Sequence, residues 1–464
     1  MIAFKPIEIG DKAAIESFTL RYAPDNCDLA FANMYCWQFR YRSSWTVIDD
    51  FLIIRFYIDG GSKLSYMQAV GTGDFTPVLR RLEEDALAAG QPLRIVCLTA
   101  SGIEQLLRSD LGEFAFDENR DMADYVYNAS DLRELPGRKY QPKRNHIRRF
   151  KAAYDYRYEE MTPAHAAECM RLENQWRGRR QDHPEDLSAE QVAMKRAFEH
   201  FDELGLRGGC LYADGRLVAF TYGSPINGHT FCIHAEKADT DYEGAFAVIN
   251  QEFASRLPER YTLINREEDL GIEGLRRAKL SYHPAFLQPK VTALLLGEDE
   301  AACKQLWLDC FEDDEQFIDS FLIRHYDRQQ MLTAEEEGRI VAMLHLLPFR
   351  SELGRTTYIY GVATDPAFRD RGYASALLCR ALELIDDRGD DAAILIPGEE
   401  RLKSFYAPFG FADAGLPVTF DTADGFDFGS GSPETDLAMV RLRNPAATLP
   451  ERLHCRPRPE PQAE

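Results

Sequence analysis

The stretch Gly361 to Ala374, GVATDPAFRDRGYA, constrains the fold more tightly than any other part of the chain. An apolar run with the character of a buried strand ends at Asp365-Pro366, and an amphipathic period begins at Ala374. This predicts a strand over residues 357–363 and a helix over 374–386. Between them Arg369, Gly372 and Ala374 fit the pattern R-x-x-G-x-A. A strand that opens through a glycine turn onto a helix N-terminus brings several unpaired amides to one point, which is what a pyrophosphate requires. Gly372 lets the backbone approach, Ala374 keeps the first turn narrow, and Arg369 and Arg371 add positive charge. Tyr373 completes this candidate set.

The flanking sequence continues the pattern. A hairpin is expected to turn at Glu337-Gly338-Arg339, a strand at 392–396 and a helix at 401–409, ending in Phe405-Tyr406-Ala407-Pro408-Phe409-Gly410-Phe411. Over about residues 291–443 these segments resemble the Gcn5-related N-acetyltransferase (GNAT) family. The resemblance implies acetyl-CoA as cosubstrate, bound at Arg369, Arg371, Gly372, Tyr373 and Ala374. It also implies that the amides around Val362 and Ala363 polarise the thioester carbonyl and that Tyr406 protonates the departing thiolate. The acceptor would be a primary amine, on a small molecule or a peptide. Glu337, Tyr358 and Tyr360 are candidates for the base.

The preceding block repeats this outline. Aligned by eye, Gly244 falls on Gly372 and Ala235 on Ala363, while residues 263–268, LINREE, mirror 395–400, LIPGEE. A duplicated lobe of about 130 residues explains both matches. In the second copy Asp241 stands for Arg369 and Phe246 for Ala374, and the turn carries Glu236, Asp239, Asp241 and Glu243. Such a turn repels a pyrophosphate, so a ligand there is expected to be cationic or neutral.

Residues 1–290 resemble the C-terminal catalytic domain of the phosphatidylglycerol lysyltransferase family. The segments that carry the likeness are FANMYCW at 31–37, KRNHIRRF at 143–150, NREEDLG at 265–271 and LRRAKLSYHP at 275–284. The resemblance implies two GNAT-like lobes and passage of an aminoacyl group from a charged tRNA to a lipid or peptide acceptor. Lys143, Arg144 and Asn145 lie in a basic helix, 138–151, that would grip tRNA phosphates through Lys143, Arg144, Arg148 and Arg149, or pair with acidic neighbours. Asn265, Glu267, Asp269 and Lys279 are candidates for an acceptor or aminoacyl pocket, or for an ion-pair network closing a helix N-terminus.

At 464 residues the chain exceeds one ordinary core. The expected class is α/β (α+β), with three GNAT-like lobes, each a mixed, mostly antiparallel sheet flanked by helices. The expected boundaries are 1–136 and 137–289 for the lysyltransferase-like lobes and 290–443 for the acetyltransferase lobe, with a disordered tail at 444–464. A net charge of −22 disfavours nonspecific nucleic-acid binding outside the 138–151 segment. The ten cysteines are scattered singly, and no CxxC or HExxH occurs. Free, mostly buried thiols in a cytoplasmic protein without metal are therefore expected. No apolar run approaches the ~20 residues of a membrane span. The leading reading is an acetyl-CoA-dependent N-acetyltransferase. The alternatives are an aminoacyl-tRNA-dependent transferase and a non-catalytic scaffold that keeps a vestigial GNAT lobe.

Overall fold

The structure, a computed structural model, describes residues 2–177, 184–422, 424–429 and 436–458, with side chains omitted at 176–177 and 184–187. They form two compact units, Met1–Leu295 and Leu296–Glu464. Within them lie three mixed, mostly antiparallel sheets with flanking helices, the architecture the patterning predicts. Among the described residues no helix is long and apolar enough to cross a membrane.

The first unit holds two sheets. One runs in the order Lys5–Pro6, Ser44–Ile48, Phe51–Ile58, Lys63–Met67, Arg94–Leu98, Val291–Leu295, Phe114–Glu118, with Val70–Gly71 beside Phe51–Ile58. The other runs Phe286–Gln288, Asp124–Asn128, Leu263–Asn265, Thr230–Ala238, Arg216–Pro225, Arg207–Ala213, Tyr156–Glu160. A continuous buried cluster takes Phe31, Leu52 and Ile54 from the first lobe and Met194 and Phe220 from the second. Each such side chain contributes roughly 1.5–3 kcal/mol when fully buried, so the two lobes share one core.

Three boundaries differ from the sequence expectation. Asp124–Asn128 pairs with Leu263–Asn265 and Phe286–Gln288, which puts it in the second sheet although it precedes residue 136. Val291–Leu295 lies between Arg94–Leu98 and Phe114–Glu118 and so closes the first sheet, not the third. Both strands are largely buried on both faces, and an apolar run of that kind shows no alternation that would name its partner. In the tail, Leu453–Pro457 is a strand paired with Ala412–Phe420 and Arg339–Ser351. Leu453 and Cys455 point into the core, an alternation too short to stand out among prolines and arginines. All ten cysteines are free; most are buried, as expected, while Cys379 lies exposed on the outer face of helix Tyr373–Asp387, whose buried face is Leu377, Leu378, Ala381 and Ile385.

The second unit's sheet runs Met331–Glu336, Arg339–Ser351, Gly354–Thr364, Ala392–Leu395, Leu437–Leu442, Ala412–Phe420, Leu453–Pro457. The Glu337-Gly338 turn has φ of 55° and 76°, and the Asp214-Gly215 turn of the second lobe has 49° and 82°. Positive φ at both central residues is the hairpin turn whose twist matches its strands.

The internal repeat is visible as geometry. Gly354–Thr364 is paired along its length with Arg339–Ser351, but its parallel neighbour Ala392–Leu395 follows only at residues 356–358. Thr230–Ala238 likewise meets its parallel neighbour Leu263–Asn265 only at residues 230–232. Each sheet therefore splays open beyond that point. Each long strand also carries an irregularity, at His234 in one lobe and at Gly361-Val362 in the other, where φ of Gly361 is 59°. Past each strand a glycine in the left-handed region, Gly244 at φ 95° or Gly372 at φ 87°, caps the following helix.

Candidate functional site

In the second unit the loop 365–372 connects the splayed strand to helix Tyr373–Asp387. The amides of Arg371, Gly372, Tyr373, Ala374 and Ser375 donate to no protein acceptor among the described residues. A Cβ on Gly372 would meet nothing within 4 Å, so the space over these donors is open. Arg369 lies exposed, its Nε donating to the Thr364 carbonyl at 3.3 Å. Arg371 reaches Glu336 at 3.1 Å, and the Tyr373 hydroxyl donates to the same carboxylate. That hydrogen bond raises the Tyr373 phenol above its ordinary range. Glu336 was not singled out from sequence, since one acid in a hairpin arm has no local signature. It pairs with the Arg371 guanidinium.

Val362 and Ala363 sit at the strand irregularity beside the splay. Tyr406 ends helix Leu402–Tyr406, with its ring 5.1 Å from that of Phe405 and 6.3 Å from that of Phe411. Burial pushes its phenol up to about 12, so it stays protonated at neutral pH and retains a proton to give. Of the base candidates, Glu337 occupies the hairpin turn and Tyr358 is buried against the Phe428 carbonyl. Tyr360 packs 5.5 Å from Trp307 and 5.5 Å from Phe321.

The corresponding turn of the second lobe is shut. A Cβ on Gly244 would stand 2.7 Å from the His146 carbonyl oxygen and 3.2 Å from Phe150 Cβ, because helix Gln141–Ala153 lies across the turn. Phe246 is exposed in the first turn that follows. A cavity of about 500 Å³ nearby is lined by Asp214, Asp239 and Asp241 together with Arg216, Gln175, Tyr154 and Tyr242.

The candidate residues of the first unit divide into three groups. Asn265, Glu267 and Lys279 converge on the loop after strand Leu263–Asn265. Asn265 Nδ2 donates to Asp25 O and Asp124 Oδ2, both at 2.8 Å, and Asn265 Oδ1 accepts from the Glu267 amide at 2.6 Å. Glu267 has φ 57°, a strained setting for a non-glycine residue. Lys279 Nζ donates to the Arg266 carbonyl at 2.6 Å and to that of Glu268. Burial lowers its ammonium despite the nearby Glu268 and Glu267 charges.

Asp269 belongs to a different constellation, with Tyr125 Oη at 2.5 Å, Arg276 Nε at 2.9 Å and Arg120 Nη1 at 3.3 Å. It also accepts from the Gly271 amide at 2.9 Å. Burial opposes its charge, but these donors hold the carboxyl well below its usual range, as an ion-pair network closing the next helix does.

The basic helix stands apart again. Lys143 Nζ donates to Ser281 Oγ at 2.7 Å and lies 3.8 Å over the Tyr282 ring; burial, then Arg266, lowers it to about 8. Arg144 satisfies the carbonyls of Leu135 and Gly137, Asn145 bonds Gln141 at 2.9 Å, and Lys151 pairs with Glu252 at 2.7 Å. Lys143, Arg144 and Lys151 are thus engaged within the protein, whereas Arg148 and Arg149 lie exposed.

Beside Glu267 lies a buried ion cluster that sequence reasoning missed. Lys290 Nζ is 2.9 Å from Asp28 Oδ2, 2.9 Å from Asp124 Oδ1 and 3.1 Å from Glu268 Oε2, and donates to Cys27 Sγ at 3.3 Å. Asp124 also accepts from the Cys27 amide at 2.7 Å. Its members are brought together by the fold from positions as far apart as residues 27 and 290, beyond the reach of any spacing rule.

A splayed sheet with a glycine-capped helix beside the splay, the arrangement of acyltransferase-type domains, occurs in two of the three lobes, at Gly244 and at Gly372. The chain belongs to the family described as phosphatidylglycerol lysyltransferase, C-terminal, whose model matches residues 20–294. A second model, acetyltransferase (GNAT) domain, matches residues 294–414. Among solved structures, a conserved protein of unknown function from Bacteroides thetaiotaomicron is 46% identical, with a TM-score of 0.62 over 64% of this chain and 100% of its own. L-PGS from Bacillus licheniformis is 15% identical, with a TM-score of 0.46 over 64% of this chain and 94% of its own. The GNAT family N-acetyltransferase YhbS from Escherichia coli, in complex with CoA, is 14% identical, with a TM-score of 0.27 over 35% and 86%. No curated protein matches the chain.

Proposed function

We propose that the second unit is an acetyl-CoA-dependent N-acetyltransferase for a primary amine, and that it provides the chain's one acyl-CoA site. The observation that carries this reading is the contrast between the two glycine caps. Unpaired amides stand under open space at Gly372, whereas the Gly244 turn is closed by the His146 carbonyl. A helix N-terminus with free donors and an adjacent arginine suits a pyrophosphate. The match of residues 294–414 to an acetyltransferase (GNAT) domain agrees with it.

In this mechanism the pyrophosphate rests on the amides of residues 371–375, with Arg369 and Arg371 neutralising its charge. The thioester carbonyl lies at the irregularity of Val362 and Ala363, whose backbone amides stabilise the oxyanion that forms as the amine nitrogen attacks. The C–S bond then breaks, the CoA thiolate takes the Tyr406 proton, and the proton lost by the amine nitrogen passes to solvent, from which the Tyr406 phenolate is reprotonated. The test is thiol release from acetyl-CoA over a panel of small and peptide amines. Replacing Tyr406 with phenylalanine is expected to lower kcat about 100- to 10,000-fold with little change in KM, since only the departing group meets the hydroxyl. An unchanged kcat removes Tyr406 from the mechanism, and absence of thiol release with every amine rejects the acetyltransferase reading.

A further inference from the structure

Two mixed clusters of cysteine and carboxylate lie side by side in the first unit, and they differ in what balances their charge. In the cluster of Cys27, Asp124 and Glu268 the Lys290 ammonium sits within 3.3 Å of every member. The other comprises Cys232, His234 and Glu267, whose ligand-capable atoms all lie within 4.8 Å of one another. Its carboxylate pairs with no lysine or arginine among the described residues; its ion-pair partner is His234.

Geometry and local sequence both suit a cation there. Cys232 and His234 are two apart on strand Thr230–Ala238, so they project to the same side, and the irregularity at His234 turns its ring toward Glu267. Cys232 Sγ is 3.5 Å from Glu267 Oε1, and His234 Nδ1 is 3.0 Å from the same oxygen. For zinc bonds of ~2.0–2.3 Å, tetrahedral geometry places neighbouring ligand atoms about 3.3–3.7 Å apart, so small side-chain adjustments admit the ion.

The supporting contacts are those that metal ligands use. His234 Nε2 meets Ser224 Oγ at 2.8 Å, which fixes the ring, while Nδ1 faces Glu267, the position a shared ion would take. Asn33 Nδ2 donates to Glu267 Oε1 at 2.9 Å and steers the carboxylate, and the left-handed backbone of Glu267 aims it back at the strand. Cys232 is fully buried, while the Glu267 side chain is 23% exposed, so a fourth position opens toward solvent.

We propose that Cys232 Sγ, His234 Nδ1 and Glu267 form a zinc-binding site at the splay of the second lobe, with a fourth coordination position left for water or a substrate oxygen. Thiolate, neutral imidazole and carboxylate together carry two negative charges, which the ion cancels. On binding, the Cys232 thiol proton leaves to solvent and the S–Zn bond forms; no redox change is involved. The site is independent of the acyl-CoA reading, and it revises the sequence expectation of no metal. That expectation rested on the absence of paired ligand motifs, whereas these ligands come from a strand and from a loop more than thirty residues later.

The experiment loads the full chain with zinc, removes excess by dialysis and measures metal by mass spectrometry, alongside Cys232→Ser, His234→Gln and Cys27→Ser. The expected result is about one zinc per chain, retained in Cys27→Ser, with affinity at least ~10-fold weaker in the other two. With cobalt(II) in place of zinc, the unaltered chain should show a thiolate-to-metal charge-transfer band and tetrahedral d–d bands. This decides the matter even if a variant fails to fold. Sub-stoichiometric zinc, a cobalt spectrum without the thiolate band, or retention in Cys232→Ser equal to that in Cys27→Ser overturns the proposal. Binding of a simple alkylammonium in place of metal also overturns it, and assigns the Glu267 charge to an amine.

Discussion

Replacing Gly372 with valine is expected to weaken acetyl-CoA binding at least ~100-fold, about 2.7 kcal/mol, while the chain keeps its fold. Gly372 has φ 87°, where a β-branched residue is strained by about 1–3 kcal/mol, and the added methyl groups enter the open space over the unpaired amides. No neighbour lies within 4 Å of the new Cβ, so the cost to folding is confined to the turn itself. Calorimetric titration with acetyl-CoA beside a urea melt separates the two effects. The informative contrast is Gly244→Ala. There the Cβ meets the His146 carbonyl at 2.7 Å, so the same kind of substitution should lower stability and leave acetyl-CoA affinity unchanged. If Gly372→Val binds as the unaltered chain does, the pyrophosphate does not lie on this turn. If Gly244→Ala weakens binding as much as Gly372→Val, the second lobe is not closed to the ligand.

These two glycines also show how far the sequence reaches. The strand, turn and helix around Gly372 were legible because each has its own period and the R-x-x-G-x-A spacing is local. The structure places a strand at Gly354–Thr364 and a helix at Tyr373–Asp387, close to the expected 357–363 and 374–386. The equivalence of Gly244 was legible as well, and so was the acidic character of its turn. What closes that turn was not. The obstacle is a main-chain carbonyl on another helix, and a backbone atom leaves no mark on composition.

The candidate residues of the first unit show the same limit. Asn265, Glu267, Asp269 and Lys279 form one group in the sequence because they are near one another. The fold sends the Asp269 carboxylate into a network with Arg120, Tyr125 and Arg276, while its neighbours face Asp124 and the Glu268 loop. Adjacent residues in a turn need not share a destination. Cys27, His234 and Lys290 went unnoticed for the opposite reason, since each is a single residue in an unremarkable segment that gains meaning only from partners far away in the chain. The strands Asp124–Asn128 and Val291–Leu295 follow the same logic, for a strand buried on both faces carries no record of the sheet it joins.

Replacing Lys290 with methionine is expected to destabilise the first unit by about 3–5 kcal/mol near neutral pH, the cost of breaking a buried ion pair by removing one partner. The ammonium side chain is 6% exposed and faces the carboxylates of Asp28, Asp124 and Glu268, of which Asp124 is fully buried. Methionine preserves most of the volume, so the loss is electrostatic rather than a cavity. Its pH dependence follows from the carboxyls. Burial raises Asp124 above its ordinary range even with Lys290 beside it. Burial also opposes the Glu268 charge, but Lys290 and then Lys279 outweigh it and hold that carboxyl low. Without Lys290 both rise, so the folded variant binds protons that the unfolded chain does not as pH falls from about 8 toward 5. Excess protons on the native state mean that stability increases with falling pH across this window. The deficit relative to the unaltered chain should therefore be largest near pH 8 and shrink toward pH 5. Urea melts of both proteins at the two pH values measure it directly. A deficit under ~1 kcal/mol, or one that does not change with pH, means that Lys290 does not hold these charges together.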